Sequence, residues 1–437
     1  MKRLRPALMA AGVAALVSGP VPAAGDPAAV DWASVPTRTL TLFWPAQSSF
    51  QWLRSTAHPG AKMVARDVAC VTCHKAGAEE KLGDKLVKAN KLEPMPVEGK
   101  NGTVKLSLQV AYDAENAYFR AQWKTRNSYP GEAHPFLRFD GKQWKQYGYP
   151  KLDKVVQDGK QPGIYEDRFS IMIDDGSVPG FANQGCWVTC HNGSRDMPNL
   201  PSKATVQGNP MFMAIKKSDV RKYLPTTRND AMASWDKGKS MDEVNKLKAD
   251  GGVLDLMQWR AHRSNPVGMA DDFYVLEYRN GDAGKNPFGS NEDKEKHQPK
   301  FMYDAAKVGK KALREDDIRK GATALVREEN AVAFDPSAGW QEGDLIPEYV
   351  VSRVDAKGSA ADNDRAKGVW RDGMWTVVWA RKLNLGNDDD KALKEGKVYS
   401  FGFAVHDDNI TTRGHHVSFP VKVGFGAKAE IEATKLK

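Results

Sequence analysis

The sequence has few cysteines and, after its first residues, no long apolar run. Only four of its 437 residues are cysteine. The apolar run Ala7–Val17 is too short for a membrane span, and no later segment approaches that length. A glycine-rich phosphate loop and a nucleophile elbow are also missing. The formal net charge is +9, but the lysines are dispersed, which argues against a nucleic-acid partner. These absences predict a chain with no transmembrane span and no nucleotide or acyl-transfer chemistry.

The first 24 residues have the pattern of a secretory signal peptide. Three basic residues lie within the first five positions, the apolar run follows, and Ala23 and Ala24 provide a small-residue cleavage site. We therefore expect residues 1–24 to be removed on export and the mature protein to be periplasmic. Its remaining positive charge would help to steer an acidic redox partner.

All four cysteines fall in two short segments, Cys70–His74 and Cys186–His191, and each segment ends in Cys-His. This ending is typical of covalent haem attachment, in which two thiols add across the vinyl groups of a haem. The adjacent histidine then becomes an axial iron ligand. The first segment has the usual gap of two residues between its cysteines, and the second has a rarer gap of three. The pattern predicts two covalently bound haems c, attached through Cys70, Cys73, Cys186 and Cys190, with His74 and His191 as proximal ligands.

Two other uses of the cysteines are less consistent with the spacing. A disulfide within either pair would close a very small, strained loop, and a disulfide between the pairs would not explain a histidine after each second cysteine. A zinc site of the Cys-x-x-Cys type usually has a second such pair at a fixed spacing, whereas these pairs lie far apart in the sequence.

The sixth ligand of the first haem has three candidates, His58, Met63 and Met95. We favour His58, which lies in a Pro/Gly loop just before the motif and could fold back over the ring. A methionine in this position would raise the reduction potential relative to two histidines.

For the second haem, three histidines cluster near the end of the chain, namely His406, His415 and His416. Strand alternation places His415 on the same face as Val417 and His416 on the opposite face. A haem in the core would therefore favour His415, and a haem over the sheet edge would favour His416.

Alternating apolar and polar residues predict a mainly β chain. The alternation is clear from Val104 to Tyr112, in Met374–Ala380 and from Tyr399 to Val405. Met211–Tyr223 and Met241–Ala249 have helical patterns instead. We therefore predict an N-terminal haem segment over residues 25–100. An antiparallel β-sandwich over residues 101–437 would follow, with a partly helical insertion at about 203–330. His415–Val423 would be its last strand.

From Val104 onward the chain resembles the haem-binding domain of ethylbenzene dehydrogenase gamma subunits and related c-552-type cytochromes. The matching pieces include Ala117–Trp123, Asp167–Phe169, Trp370–Trp375 and Arg413–Pro420. The resemblance implies a β-sandwich that holds one haem, which in the dehydrogenase subunits is a b-type haem with methionine and lysine ligands. Here Cys186–His191 replaces the methionine loop, and the lysine position falls near His415 or His416. This departure implies a covalent haem with two histidine ligands.

These features together predict an exported dihaem c-type cytochrome that transfers electrons in a respiratory chain, as a shuttle or as a subunit of a redox complex. A membrane cytochrome b and a molybdenum oxidoreductase are the partner classes that we expect. Two alternatives are a haem enzyme that reduces a small molecule at a five-coordinate iron and a haem-based sensor. Binding of carbon monoxide to the reduced protein would distinguish both from an electron carrier.

Overall fold

The computed structural model describes residues 25–88, 92, 99–125, 134–195, 197, 199–281, 287–321, 324–356, 365–407 and 414–436. The predicted signal peptide and the candidate ligand Met95 lie outside these residues. Within the described ranges, no helix combines the length and apolar character that crossing a bilayer requires.

The described residues are mainly β, as the alternation predicts. In chain order the strands are β1 (Arg38–Phe43), β2 (Thr103–Tyr112), β3 (Asn116–Lys124), β4 (Phe136–Phe139), β5 (Trp144–Tyr147), β6 (Arg168–Asp174), β7 (Leu254–Arg260), β8 (Asp271–Val275), β9 (Arg279–Gly281), β10 (Phe288–Ser290), β11 (Glu292–Asp293), β12 (Gln298–Pro299), β13 (Phe301–Tyr303), β14 (Ala331–Ala333), β15 (Leu345–Pro347), β16 (Tyr349–Val351), β17 (Ala366–Arg371), β18 (Met374–Lys382), β19 (Lys397–His406), β20 (His416–Val417), β21 (Val421–Phe425) and β22 (Ile431–Lys435).

The helices are short and lie between the strands. They are α1 (Phe50–Leu53), α2 (Ala61–Ala65), α3 (Cys70–Cys73), α4 (Ala78–Val87), α5 (Lys154–Gln157), α6 (Phe181–Gln184), α7 (Lys203–Gln207), α8 (Pro210–Ala214), α9 (Met241–Ala249), α10 (Ala305–Val308), α11 (Glu315–Arg319) and α12 (Arg353–Ala356). Four 3-10 turns cover Trp32–Ser34, Gly185–Thr189, Pro225–Thr227 and Asn265–Val267.

Six strands close into a barrel. Going round it, β1 pairs with β2 and β20, β20 pairs with β19, β19 with β21, β21 with β22, and β22 with β2. The two pairings of β22 are parallel, and the others are antiparallel. The sheet continues beyond the barrel on both sides, through β3, β18 and β17 from β2, and through β6, β7, β8 and β9 from β19.

The barrel interior is formed by the alternation that the sequence shows. In β2 the side chains of Val104, Leu106, Leu108 and Val110 are buried, whereas Lys105 between them is exposed. The largest buried side chains on the extended sheet are aromatic and contact one another, among them Trp123, Trp259, Trp375 and Phe169. This apolar interior holds in place the strands that carry the functional side chains.

In the sequence, two regions stand apart from the predicted sheet domain. Both of them supply strands to this sheet. Within residues 25–100, β1 forms a full antiparallel pairing with β2, from Arg38 opposite Leu108 to Phe43 opposite Thr103. Within residues 203–330, β7 pairs along its length with β6, and β8 and β9 follow it. Both regions therefore contribute to the main sheet as well as to the loops around it.

Two local expectations differ from the structure. The predicted helix Met211–Tyr223 is limited to α8, because Lys216 adopts a left-handed conformation with a φ of 55° soon after α8 ends. The predicted last strand His415–Val423 is divided into β20 and β21, because Pro420 between them has no N–H with which to continue the ladder.

The N-terminal segment docks on the barrel through a close contact between two glycines. Gly83 of α4 faces Gly102 at the start of β2, and a Cβ on either residue would collide with the backbone of the other segment. The absence of both side chains lets the helix lie directly on the strand, and this fixes the segment that carries the first Cys-His motif.

Substitution Gly83→Ala tests this contact. The added methyl group would meet the backbone carbonyl of Gly102, so it should push α4 away at a cost in the upper part of the usual range, about 2–3 kcal/mol. The higher helix propensity of alanine offsets about 1 kcal/mol of this cost. We expect a net loss of about 1–2 kcal/mol in the free energy of unfolding, measured by urea titration. The matched control is Gly289→Ala in β10, where no atom lies within 4 Å of an added Cβ. A Gly83→Ala protein as stable as the control would contradict the proposed contact.

Candidate functional site

The first Cys-His motif lies beside a second histidine. Cys70–Cys73 form α3, and His74 follows directly. The ring centres of His58 and His74 are 6.4 Å apart, and their planes differ by 23°. An iron held between two imidazoles by bonds of about 2 Å would separate the ring centres by about 6 Å. The two rings therefore have the spacing that two axial ligands of one haem iron require.

A hydrogen bond orients the His58 ring. Its Nδ1 lies 3.0 Å from the carbonyl oxygen of Leu53. Because a carbonyl can only accept, Nδ1 carries the proton and Nε2 keeps its lone pair for a metal. The pKa of His74 is lowered by burial and by the proximity of His58, so its ring is neutral near pH 7, as ligation requires.

The first motif is only partly covered by protein. Cys73 is exposed, Cys70 is half-buried, and burial raises the pKa of the Cys70 thiol to about 11. The sulfur of Met63, a residue that is 40% exposed, lies 3.9 Å from the Cys73 sulfur. Met63 thus lies next to an attachment thiol, whereas His58 faces the proximal histidine.

The second Cys-His motif lines a cavity that is partly open to solvent. Gly185 has a φ of 60°, and a Cβ there would lie 3.1 Å from Pro420, so the 3-10 turn that carries Cys186 begins at a position suited to glycine. Cys186, Cys190 and His191 line a cavity of about 340 Å³. The Cys190 sulfur lies 3.2 Å from the Lys222 ammonium group. A hydrogen bond from the Cys186 thiol and the Lys222 charge both lower the pKa of Cys190.

One wall of this cavity consists of alternate residues on three neighbouring strands, β19, β6 and β7. Their register sets these residues in three rows across the strands. The first row is apolar, the second is small or neutral polar, and the third carries the charge. The rows are Gly402, Met172 and Leu256, then Ala404, Ser170 and Gln258, then His406, Arg168 and Arg260.

His406 and His415 both line the cavity, and their ring centres are 4.6 Å apart. Burial, followed by the proximity of His415, holds the pKa of His406 well below its usual value. Within the described residues, Nδ1 of His406 has no hydrogen-bond partner. Two buried imidazoles, one with an unsatisfied nitrogen, are suited to bind a metal on this wall.

His416 faces a different part of the protein and does not line the cavity. Its Nε2 donates to the carbonyl oxygen of Asn101 at 2.9 Å, and its Nδ1 lies 3.4 Å from the Asp407 carboxylate. The same carboxylate lies 3.8 Å from the Lys100 ammonium group. His416 therefore ties β20 to the segment that leads into β2.

His191 lines the cavity, but its ring nitrogens contact protein groups. Its Nε2 donates to the carbonyl oxygens of Val188 and Tyr223 at 3.1 and 3.0 Å, and Nδ1 lies 3.2 Å from the Gln51 amide nitrogen. The ring also stacks on Tyr223 at 3.8 Å, and burial lowers the pKa of His191 to about 3. Coordination of an iron by His191 would require an exchange of one of these hydrogen bonds.

The structure brings the two motifs together over one apolar cluster. Cys70 packs against this cluster, which contains Cys186, Trp187 and Phe419. The Phe419 ring lies 5.9 Å from the His74 ring and 5.9 Å from the Trp187 ring. An aromatic side chain thus contacts both motifs.

Hydrogen bonds hold the segment before the first motif against the loop of the second. The Arg54 guanidinium donates to the Gln184 side chain at 2.8 Å. The Gln51 side chain accepts from the backbone N–H of Asn192 at 2.9 Å. The relative position of the two motifs is therefore determined by direct contacts between their segments.

The residues present fit a covalently held haem at both motifs. At the first, two thiols and two nearly parallel imidazoles meet. At the second, two thiols open onto a cavity that also contains buried histidines.

The arginines of the cavity wall and the position of His406 in the cavity are not evident from the sequence. One local signal was available, since β19 carries Gly402 and Ala404 at alternate positions in a strand otherwise rich in large residues. Small residues on one face of a buried strand indicate space for another group.

Comparisons with known proteins show the family of this chain. A sequence model described as ethylbenzene dehydrogenase matches residues 29–418. The chain is similar to cytochrome c-552 of Stutzerimonas stutzeri, with 26% identity over 99% of this chain and 100% of that protein. It is also similar to cytochrome c-551 of Rhodocyclus tenuis, with 27% identity over 40% of this chain and 60% of that protein. Given the match over most of its length, the chain belongs to the ethylbenzene dehydrogenase family.

Proposed function

We propose that this protein is an exported dihaem c-type cytochrome that carries electrons, as a soluble shuttle or as a subunit of a respiratory redox complex. The observation that carries the proposal is the convergence of both Cys-His motifs on one apolar cluster, with Phe419 in contact with each. The relatives named as cytochromes c support the general class. When bound, the haems would supply a one-electron iron couple, for which the protein provides ligands and surroundings.

At the first motif, Cys70 and Cys73 would hold the haem, and His74 and His58 would be its axial ligands. The spacing of the two imidazoles supports this ligand pair, and two histidines would give a lower potential than a histidine and a methionine. Because Cys73 is exposed, this haem would have an edge near the surface, where a redox partner could approach. We expect a membrane cytochrome b or a molybdenum oxidoreductase as the partner.

At the second motif, Cys186 and Cys190 would hold the haem within the cavity, with His191 as the proximal ligand. His415 is the distal candidate that the geometry favours over His416, because His415 lines the cavity and His416 bonds to Asn101. A haem buried in this position would exchange electrons with the partner through the first haem.

The mass of the intact mature protein tests both attachment and export. Two haems should add about 1.2 kDa to the polypeptide that remains after cleavage near Ala23 or Ala24. Replacement of both Cys70 and Cys73 by alanine should reduce this increment by about 0.6 kDa. Extraction with acid and organic solvent gives a second readout, because thioether-bound haem stays with the protein. Colour that leaves with the solvent would refute covalent attachment.

Carbon monoxide binding tests the axial ligands. The reduced wild-type protein should not bind the gas, because both irons would be six-coordinate. His415→Ala should open the second iron, so that the reduced variant shows one five-coordinate, high-spin haem before the gas is added and then binds one equivalent of carbon monoxide.

The matched control is His416→Ala, in the same segment but outside the cavity, and it should remain closed to carbon monoxide. Binding to His416→Ala and not to His415→Ala would reverse the ligand assignment. Binding to one haem of the wild-type protein would instead favour a haem enzyme or a sensor.

A further inference from the structure

The cavity at the second motif is strongly positive. Among its described lining residues seven are basic and none is a carboxylate. The basic residues are Arg168, Arg195, Arg221, Lys222, Arg260, Arg263 and Arg279. A cavity of this composition attracts anions.

Three carboxylates behind the lining neutralise part of this charge. Two of these carboxylates are shared, since each of them contacts two arginines. Glu166 lies 3.4 Å from Arg168 and 2.5 Å from Arg263. Asp271 lies 2.6 Å from Arg260. Asp219 lies 2.8 Å from Arg195 and 2.7 Å from Arg221.

Arg279 has no such partner. Within the described residues no carboxylate lies within 4 Å of its guanidinium group, and its buried Nε makes no hydrogen bond. The group lies 4.6 Å from the centre of the Phe273 ring. Burial, followed by the charges of Arg260, Arg221 and Arg168, lowers the pKa of Arg279 to about 9, so the group is still charged at neutral pH. The residue as a whole is partly exposed, but its Nε is shielded from solvent without a partner, so an anion that accepted from this group would stabilise the site.

Haem attachment would change the surroundings of a second cation. Lys222 lies 3.2 Å from the Cys190 sulfur. When the thiol adds across a vinyl group, its hydrogen goes to the vinyl carbon and its sulfur becomes a thioether, and no oxidant or reductant is needed. A thioether carries no charge and accepts hydrogen bonds only weakly, so it cannot balance the Lys222 ammonium group.

The position of the arginines relative to the cysteines suggests which anion they bind. The apolar row of the wall contains Met172 and Leu256, which pack in the same cluster as Cys186. The charged row contains Arg168 and Arg260, two register steps further along β6 and β7. A haem also has an apolar edge and a charged edge, because its vinyl groups and its two propionate carboxylates lie on different edges of the ring.

We propose that the arginine end of this cavity binds the two propionate carboxylates of the second haem, with Arg279 and Arg168 as the principal donors. Nε of Arg168, like that of Arg279, is buried without a hydrogen-bond partner among the described residues. This assignment rests on the proposed dihaem function and adds the residues that orient and neutralise the haem. Arg279 would act as a positioning residue, because it contacts the carboxylates and not the iron.

The test compares Arg279→Leu with Arg195→Leu in the haem-loaded protein. Arg195 also lines the cavity, but its side chain is 47% exposed and paired with Asp219, so its loss should matter little. The readout is the reduction potential of the second haem between pH 5 and pH 9. In the wild type and in Arg195→Leu the carboxylates stay ionised, and the potential should be independent of pH above about pH 6.

In Arg279→Leu the pKa of a propionate should rise by about 1–3 units, since an opposite charge has been removed. The potential of the second haem should then increase as the pH falls through this range, because protonation removes negative charge near the iron. Arg279→Lys should restore most of the wild-type profile and shows whether charge, rather than folding, is responsible. An Arg279→Leu profile identical to that of Arg195→Leu would overturn the proposal.

A second arm identifies the source of the anion. Sodium phosphate is titrated into the wild-type protein at constant ionic strength. Propionates that already occupy the arginines should leave the haem spectrum and potential unchanged. A saturable change that Arg279→Leu abolishes would show that the site takes a free oxyanion instead.

The intact mass of each variant distinguishes a failure of the proposed function from a failure of the propionate assignment. Wild-type protein without the mass of a second haem refutes the proposed function, whereas loaded protein with an unchanged pH profile refutes only the propionate assignment.

Discussion

The register between β19, β6 and β7 is the constraint on which the second site depends. Gly402, Ala404 and His406 lie opposite Met172, Ser170 and Arg168, and each row continues into β7. A slip of one residue would turn every one of these side chains to the other face of the sheet. The register is held because the intervening residues, such as Phe401, Phe403 and Val405, are buried in the apolar interior. Core packing on one face therefore determines the chemistry on the other.

The apolar cluster around Phe419 fixes the positions of the two Cys-His motifs relative to each other. The segments that carry them are more than a hundred residues apart, yet Cys70, Cys186 and Trp187 pack into the same cluster. The contact between Gly83 and Gly102 and the pairing of β1 with β2 hold the N-terminal segment on the barrel. A small cytochrome segment alone would not bury enough surface to fix its orientation, and the barrel supplies that surface.

Buried charge is the remaining constraint. The wall beside the cavity contains more cations than the carboxylates behind it can neutralise, and this imbalance would be destabilising in a protein that held nothing there. Such an arrangement is consistent with a site completed by an anionic group. It also explains why Glu166 and Asp271 are fully or nearly fully buried and each paired with arginine.

The sequence by itself determined the mainly β class of the fold and predicted haem attachment through the thiols. Cys-His endings are local signals, because attachment to one haem needs only a few consecutive residues, and the alternation in β2 and β19 reports directly on a mainly β chain. His58 was also within reach of local reasoning, since it lies in the loop before the first motif.

Only the tertiary structure decided that β1 and the last strands close the sheet into a barrel, and that His415 and His416 face different surroundings. It also placed Arg168, Arg260 and Arg279, from three different strands, at one end of a single cavity. These facts depend on long-range pairing and on the sharing of buried charge, and no window of neighbouring residues contains either.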